Sequence, residues 1–186
     1  LKVGDVYVVT MKLNPAIGAT IDCENYNKYY PQLVVTGSEG KGYDTIRVRP
    51  TERKLYELPF DVKLDNGVVV DSFTVAVNSQ PGNITASVAS DKGSDVTANA
   101  DNTVFTTAHD YGAKEVYTIT TVPANMKIAQ TSTSINGITV DPNAKTITVT
   151  NALAVSNDPY AVTVRAYQDS GSSQANYEPL DITLNI

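Results

Sequence analysis

The stretch INGITVDPNAKTITVT, residues 135–150, decides the fold class of this chain. Apolar and polar residues alternate on both sides of a short break, and alternation with a period of two indicates β-strands. The pattern places Ile138 and Val140 on one face of the first strand, opposite Ile147 and Val149 of the second strand. The sequence therefore predicts a β-hairpin with one buried face.

The break in this stretch, Asp141-Pro142-Asn143, is acidic and raises the question of a bound metal or sugar. Proline presets the backbone angle φ for a turn, while Asp and Asn side chains accept hydrogen bonds from their own backbone. Local bonds of this kind account for the three residue types without a ligand. We therefore predict that the break is the tip of the hairpin.

The same period of two continues through most of the chain. It is clear in residues 3–13, in residues 54–77 and in several segments of the second half, where β-branched residues dominate. Asp65-Asn66-Gly67 supplies the residues that a tight hairpin turn favours. The pattern predicts an all-β fold.

Composition excludes several classes of function. The chain has 186 residues and a formal net charge of −6, which opposes binding to nucleic acid or to anionic lipid. No segment approaches the roughly 18 apolar residues of a membrane helix. With one cysteine and one histidine in the chain, the three or four Cys/His ligands of a typical zinc site cannot be assembled.

A domain boundary is predicted in the polar segment 78–83, which contains Gln80-Pro81-Gly82 between two strand patterns. The expected domains are residues 1–80 and 81–186, and both lengths suit a small β-sandwich of about seven strands. A competing interpretation makes residues 79–110 a bridging strand pair within one large sandwich.

The second half also carries a recognisable arrangement of motifs. Tyr117 and Ile119 are followed by the strand end GITVDP at 137–142 and then by YAVTVRAYQDSG at 160–171. Over about residues 115–172, this arrangement resembles the immunoglobulin-like and cadherin-like modules of bacterial surface proteins. The chain departs from the pattern at 143–145, where Asn-Ala-Lys replaces the usual Thr-Gly, and it lacks the cadherin calcium motifs.

Together with the two domain lengths, this leads us to expect two tandem immunoglobulin-like β-sandwich domains, although the first half of the chain carries no such resemblance. The resemblance implies a module with no enzymatic activity. It also implies that the chain is part of a surface-layer or stalk protein, which is extracellular and lies at the cell surface. The expected partners are neighbouring protein modules or subunits, or a cell-surface glycan. The alternative is a carbohydrate- or protein-binding adhesive module of a larger secreted protein. The chain opens at Leu1 directly in a strand pattern, so we expect it to be part of a longer protein.

The candidate binding residues are Tyr26, Tyr29 and Tyr30, in the polar segment 24–32. Exposed aromatic rings beside Asn and Gln suit contact with a sugar or a protein. The competing interpretation is that these rings cap the core of a sandwich.

No catalytic site is predicted. His109 is followed by Asp110, but neighbours in a strand point to opposite faces. The chain also has no Gly-x-Ser-x-Gly nucleophile motif. We therefore expect His109 and Asp110 to be ordinary residues at the end of a loop. The sequence disfavours an enzyme.

No metal or cofactor is predicted either, although calcium is left open. The acidic segment 90–102 offers oxygen ligands, but its spacing matches no EF-hand. Its Asp and Asn residues are Asp91, Asp95, Asn99, Asp101 and Asn102. These residue types are also common in turns.

Overall fold

The computed structural model describes residues 1–12, 19–22, 33–40, 43–171 and 173–186. Every regular element in these ranges is a β-strand, which confirms the all-β prediction. The described residues contain no helix long and apolar enough to cross a membrane. The chain divides into two compact units, Leu1–Gly82 and Asn83–Ile186.

The first unit contains two antiparallel sheets of three described strands each. Their orders are β1-β4-β3 and β2-β5-β6. The strands are β1 (Tyr7–Lys12), β2 (Thr20–Asp22), β3 (Leu33–Gly40), β4 (Tyr43–Pro50), β5 (Leu55–Lys63) and β6 (Val69–Asn78). Val48 of β4 and alternate residues of β5 bury their side chains in one core, so the two sheets form a sandwich.

The turn between β5 and β6 has the predicted chemistry. The Gly67 backbone takes a φ of 81°, and its N–H donates to the carbonyl of Leu64 at 2.8 Å. The N–H of Leu64 in turn donates to the carbonyl of Val68 at 2.9 Å. The predicted hairpin over residues 54–77 is therefore confirmed.

The second unit contains a four-stranded and a five-stranded sheet, with orders β12-β13-β10-β7 and β11-β14-β15-β9-β8. Strands β9 and β15 pair in parallel, and the other described pairs of this unit are antiparallel. The strands are β7 (Thr85–Ser90), β8 (Val96–Ala98), β9 (Val104–Thr107), β10 (Glu115–Val122), β11 (Lys127–Gln130), β12 (Ile138–Asp141), β13 (Thr146–Val149), β14 (Ala161–Tyr167) and β15 (Leu180–Asn185).

The strand order identifies the second unit as an immunoglobulin-like sandwich. With β7, β10, β12 and β13 as strands A, B, D and E, the first sheet has the ABED composition of that fold. Strands β11, β14 and β15 then supply C, F and G of the facing sheet. Buried residues of both sheets meet in a single cluster that includes Tyr117, Ile147 and Val164.

The hairpin predicted over residues 135–150 is present as β12 and β13. Ile138 pairs with Val149 and Val140 pairs with Ile147, as the alternation indicates. An Asp141 carboxylate oxygen accepts the backbone N–H groups of Asn143 and Ala144 at 2.9 and 3.1 Å. Asp141 is therefore engaged in its own turn, which confirms that the break is a hairpin tip.

Because all members of its core lie within residues 84–186, we expect the second unit to fold by itself. A fragment of residues 83–186 should unfold in one cooperative thermal transition, followed by circular dichroism. Ile147→Val should lower the stability of that fragment by about 1 kcal/mol, because the side chain is buried. A broad, non-cooperative transition of the unsubstituted fragment would contradict this expectation.

Candidate functional site

A cleft of about 390 Å³ opens at one end of the second unit. Its walls come from two loops, 108–112 between β9 and β10 and 153–160 between β13 and β14, and from Ile186 after β15. Segments far apart in sequence meet here because their strands end at the same edge of the sandwich. The volume is at the lower end of the range for small-ligand sites.

Two side chains stand out at the cleft because they are apolar or aromatic and yet exposed. Tyr111 is 76% exposed and Val155 is 75% exposed, one on each loop. Leu153 lies buried at the base of the second loop. Tyr160 and Ile186 exchange two backbone hydrogen bonds, at 2.9 and 3.1 Å, which hold this side of the cleft in place.

The loop 153–160 also places polar side chains at the cleft. The Ser156 hydroxyl accepts the backbone N–H of Asp158 at 3.1 Å, which shapes the turn. Within the described residues, the side chains of Asn157 and Asp158 make no hydrogen bond, and both residues are exposed. An amide and a carboxylate are therefore free to bind a polar group in the cleft.

A buried polar cluster lies beneath the loop that carries Tyr111. The Glu115 residue is only 3% exposed, and one of its carboxylate oxygens lies 3.0 Å from Nδ1 of His109, whose side chain is 6% exposed. The other oxygen accepts the hydroxyl of Ser90. These bonds tie residue 109 of the loop to the start of β10 and to the end of β7.

The environment of Glu115 favours its charged form. Burial alone raises the pKa of the carboxyl, but hydrogen bonds from Ser90 and His109 outweigh burial. The nearby hydroxyls of Ser94 and Tyr117 act in the same direction, and the pKa falls from 4.5 to about 2. Glu115 is therefore ionised at neutral pH.

The cluster is only partly satisfied. An ionised Glu115 accepts a hydrogen bond from Nδ1 of His109, which fixes the proton on that nitrogen. Within the part of the chain that the structure describes, Nε2 of His109 and the hydroxyl of Tyr117 are buried without a partner of good geometry. Burial also raises the pKa of Tyr117, so the hydroxyl stays protonated. The carboxylate of Glu115 is thus the central acceptor of the cluster.

The order of these groups differs from that of a hydrolytic triad. A triad requires the serine to donate to the histidine, which in turn donates to the acid. Here both Ser90 and His109 bond to Glu115. The three side chains therefore lack the serine–histidine bond that activates a nucleophile.

His109 lies in the loop between β9 and β10, and the sequence reasoning named no partner for its side chain. The side chain binds Glu115, six residues later, and within the described residues it makes no hydrogen bond with Asp110. The alternation of β10 indicates this partner, because Glu115, Tyr117 and Ile119 are alternate residues whose side chains all point into the core. A carboxylate in the inward phase of a strand requires a polar partner inside the protein.

The predicted tyrosine site lies outside the described residues. Tyr26, Tyr29 and Tyr30 all fall in the segment 23–32, so that site stays a prediction.

The acidic segment 90–102 does not gather its side chains at one point. Asp91 and Asp95 precede β8, whereas Asp101 and Asn102 lie in the turn that follows it. A carboxylate oxygen of Asp91 accepts the N–H of Val116 at 2.9 Å. Within the described ranges, no three His, Cys, Asp or Glu side chains are grouped closely enough to hold a metal ion.

Asn99 of the same segment is used by its own turn. Its side-chain oxygen accepts the backbone N–H groups of Thr103 and Val104 at 2.8 and 3.0 Å. These bonds account for the residue without a cation.

No family model and no curated protein matches this chain. Among solved structures, this chain is similar to titin domains Z1Z2 in complex with telethonin. The two sequences are 11% identical, the match covers 100% of this chain and 88% of the titin chain, and the TM-score is 0.33. It is also similar to the human desmocollin-1 ectodomain, with 14% identity, coverage of 90% and 32%, and a TM-score of 0.31.

An endo-fucoidan hydrolase of glycoside hydrolase family 107 is similar at 14% identity, with coverage of 99% of this chain and 27% of that one and a TM-score of 0.39. The chain thus spans about a third or less of the desmocollin and hydrolase chains. All three TM-scores lie below 0.5. The assignment of the second unit to the immunoglobulin-like fold therefore rests on its own strand order.

Proposed function

We propose that this chain is a non-enzymatic structural and interaction protein of a bacterial cell surface, and that its second unit contacts a partner through the cleft. The observation that carries the proposal is the pair of exposed side chains, Tyr111 and Val155, on opposite loops of the cleft. Exposed aromatic and apolar groups around a concavity are typical of binding sites.

The framework beneath the cleft supports this role. Both loops begin and end on strands of one sandwich, and the cluster around Glu115 anchors the loop that carries Tyr111. A preformed site loses less conformational entropy on binding than a disordered one. The extracellular location and the surface-layer or stalk context come from the sequence resemblance and belong to the same proposal.

Binding to isolated cell envelopes tests the proposal. The whole chain, carrying a fluorescent label, should sediment with envelopes of the organism that encodes it. Because Tyr111 and Val155 are exposed, the variant Tyr111→Ala/Val155→Ser should keep the melting temperature while its envelope binding falls at least about tenfold.

Val122→Ala is the matched control for that variant. Val122 is 65% exposed and lies at the other end of the eight-residue strand β10, about 25 Å from the cleft. The control should bind as well as the unsubstituted chain. Absence of envelope binding, or equal loss in both variants, would contradict the proposed role of the cleft.

A further inference from the structure

The chemistry of the cleft walls narrows the class of partner. One wall offers the exposed ring of Tyr111, and the other offers the free side chains of Asn157 and Asp158. A sugar ring combines an apolar face of C–H groups with a rim of hydroxyls, so it needs an aromatic surface and hydrogen-bonding side chains together. An apolar peptide segment would leave the amide and the carboxylate without partners, at a cost in affinity.

The charge of the cleft narrows the class further. Asp158 lines the cleft, and none of the described lining residues is a lysine or an arginine. A sialylated, uronic or sulfated saccharide would place its anionic group near a carboxylate with no cation to pair with it. A neutral saccharide meets no such repulsion.

We infer that the cleft binds a neutral saccharide, with the Tyr111 ring against the apolar face of one sugar ring and Asn157 and Asp158 on its hydroxyls. This inference rests on the proposed function and names the partner of the same site. The volume of about 390 Å³ accommodates one or two sugar rings. The bound unit is therefore the end or a short internal segment of a glycan.

Titration with defined oligosaccharides tests the inference directly. The probes are neutral gluco-, manno- and galacto-oligosaccharides of two to six rings, beside sialylated and sulfated oligosaccharides of the same lengths. At least one neutral probe should bind, and the anionic probes should bind at least about tenfold more weakly. Binding of anionic probes alone, or of no probe, would overturn the inference.

Variants at the aromatic wall separate stacking from hydrogen bonding. Tyr111→Ala should weaken the binding of the neutral probe about tenfold, whereas Tyr111→Phe, which keeps the ring, should stay within about twofold. Asp158→Ala should also weaken binding, while Val122→Ala should leave it unchanged. Equal affinities of the unsubstituted chain and the Tyr111→Ala variant would contradict the site.

Treatment of the envelopes distinguishes this inference from the proposed function. Periodate, which cleaves vicinal diols of sugars, should abolish envelope binding, and protease digestion should leave it intact. Binding that depends on Tyr111 but survives periodate and is lost after protease would overturn the saccharide inference alone. The interaction function would then stand, with a protein as its partner.

Discussion

Replacing Gly137 with alanine is expected to destabilise the second unit by about 2–5 kcal/mol. The glycine has a φ of 88°, a left-handed conformation that costs an L-residue about 1–2 kcal/mol. A Cβ atom built on it would lie 2.4 Å from the backbone nitrogen of Leu153 and 2.6 Å from its Cα atom. Because these are backbone atoms, the turn after β13 would have to move, and overpacking adds about 1–3 kcal/mol.

The matched control for this substitution is Gly93→Ala. Gly93 has a similar φ of 77°, but a Cβ atom there would meet no other atom within 4 Å. It should therefore cost only the conformational term of about 1–2 kcal/mol. Urea unfolding of both variants, followed by circular dichroism, measures the difference. Equal losses of stability would show that the close approach to Leu153 is not what requires glycine at position 137.

Loss of the Glu115 carboxylate is expected to have the second large effect. In Glu115→Ala, both His109 and Ser90 lose their buried acceptor, and hydrogen bonds to a charged group contribute about 1.5–3 kcal/mol each, so losing both should cost about 3–6 kcal/mol. Glu115→Gln keeps the shape but removes the charge, so we expect a smaller loss of about 2–3 kcal/mol. Glu178→Gln, at an exposed glutamate, should leave the stability within about 0.5 kcal/mol.

The dependence of stability on pH provides a second measurement of the same group. The ordinary pKa of a glutamate, taken for the unfolded chain, is 4.5, and the pKa of Glu115 in the fold is about 2. Its stabilising contribution is therefore fully present above pH 4.5 and is lost as the pH falls toward 2. The difference between the two pKa values corresponds to a contribution of about 3 kcal/mol to the free energy of unfolding.

In Glu115→Gln, the free energy of unfolding should no longer show this part of its decrease between pH 4.5 and pH 2. Urea unfolding at several pH values in that interval, for the unsubstituted chain and for the variant, makes the comparison. Parallel curves for the two proteins would show that Glu115 is not a source of the acid sensitivity.

Gly137 and Glu115, the residues of these two predictions, act at the same end of the second unit, although they lie 22 residues apart in the sequence. Gly137 supports the turn that leads into the loop 153–160, and Glu115 holds the loop 108–112. The walls of the cleft thus depend on one steric contact and one buried charge. Both variants should also weaken partner binding through the position of the loops.

Sequence alone was sufficient for the features that depend on neighbouring residues. The alternation of β12 and β13, the turn chemistry of Asp141 and the Asn66-Gly67 turn all follow from local preferences, and the structure bears them out. The phase of β10 also marked Glu115 as an inward carboxylate, and the sequence reasoning missed this signal. The role of Gly137 was visible only as a motif residue, without its reason.

Tertiary structure alone decided where the candidate site lies. The cleft joins residues 108–112, 153–160 and 186, which meet only after the strands between them have paired into two sheets. The close approach of Gly137 to Leu153 and the sharing of Glu115 by Ser90 and His109 arise in the same way. Strand periodicity is a local property of the chain and can be read from the sequence, whereas contacts between loops depend on sheet register and packing over long distances.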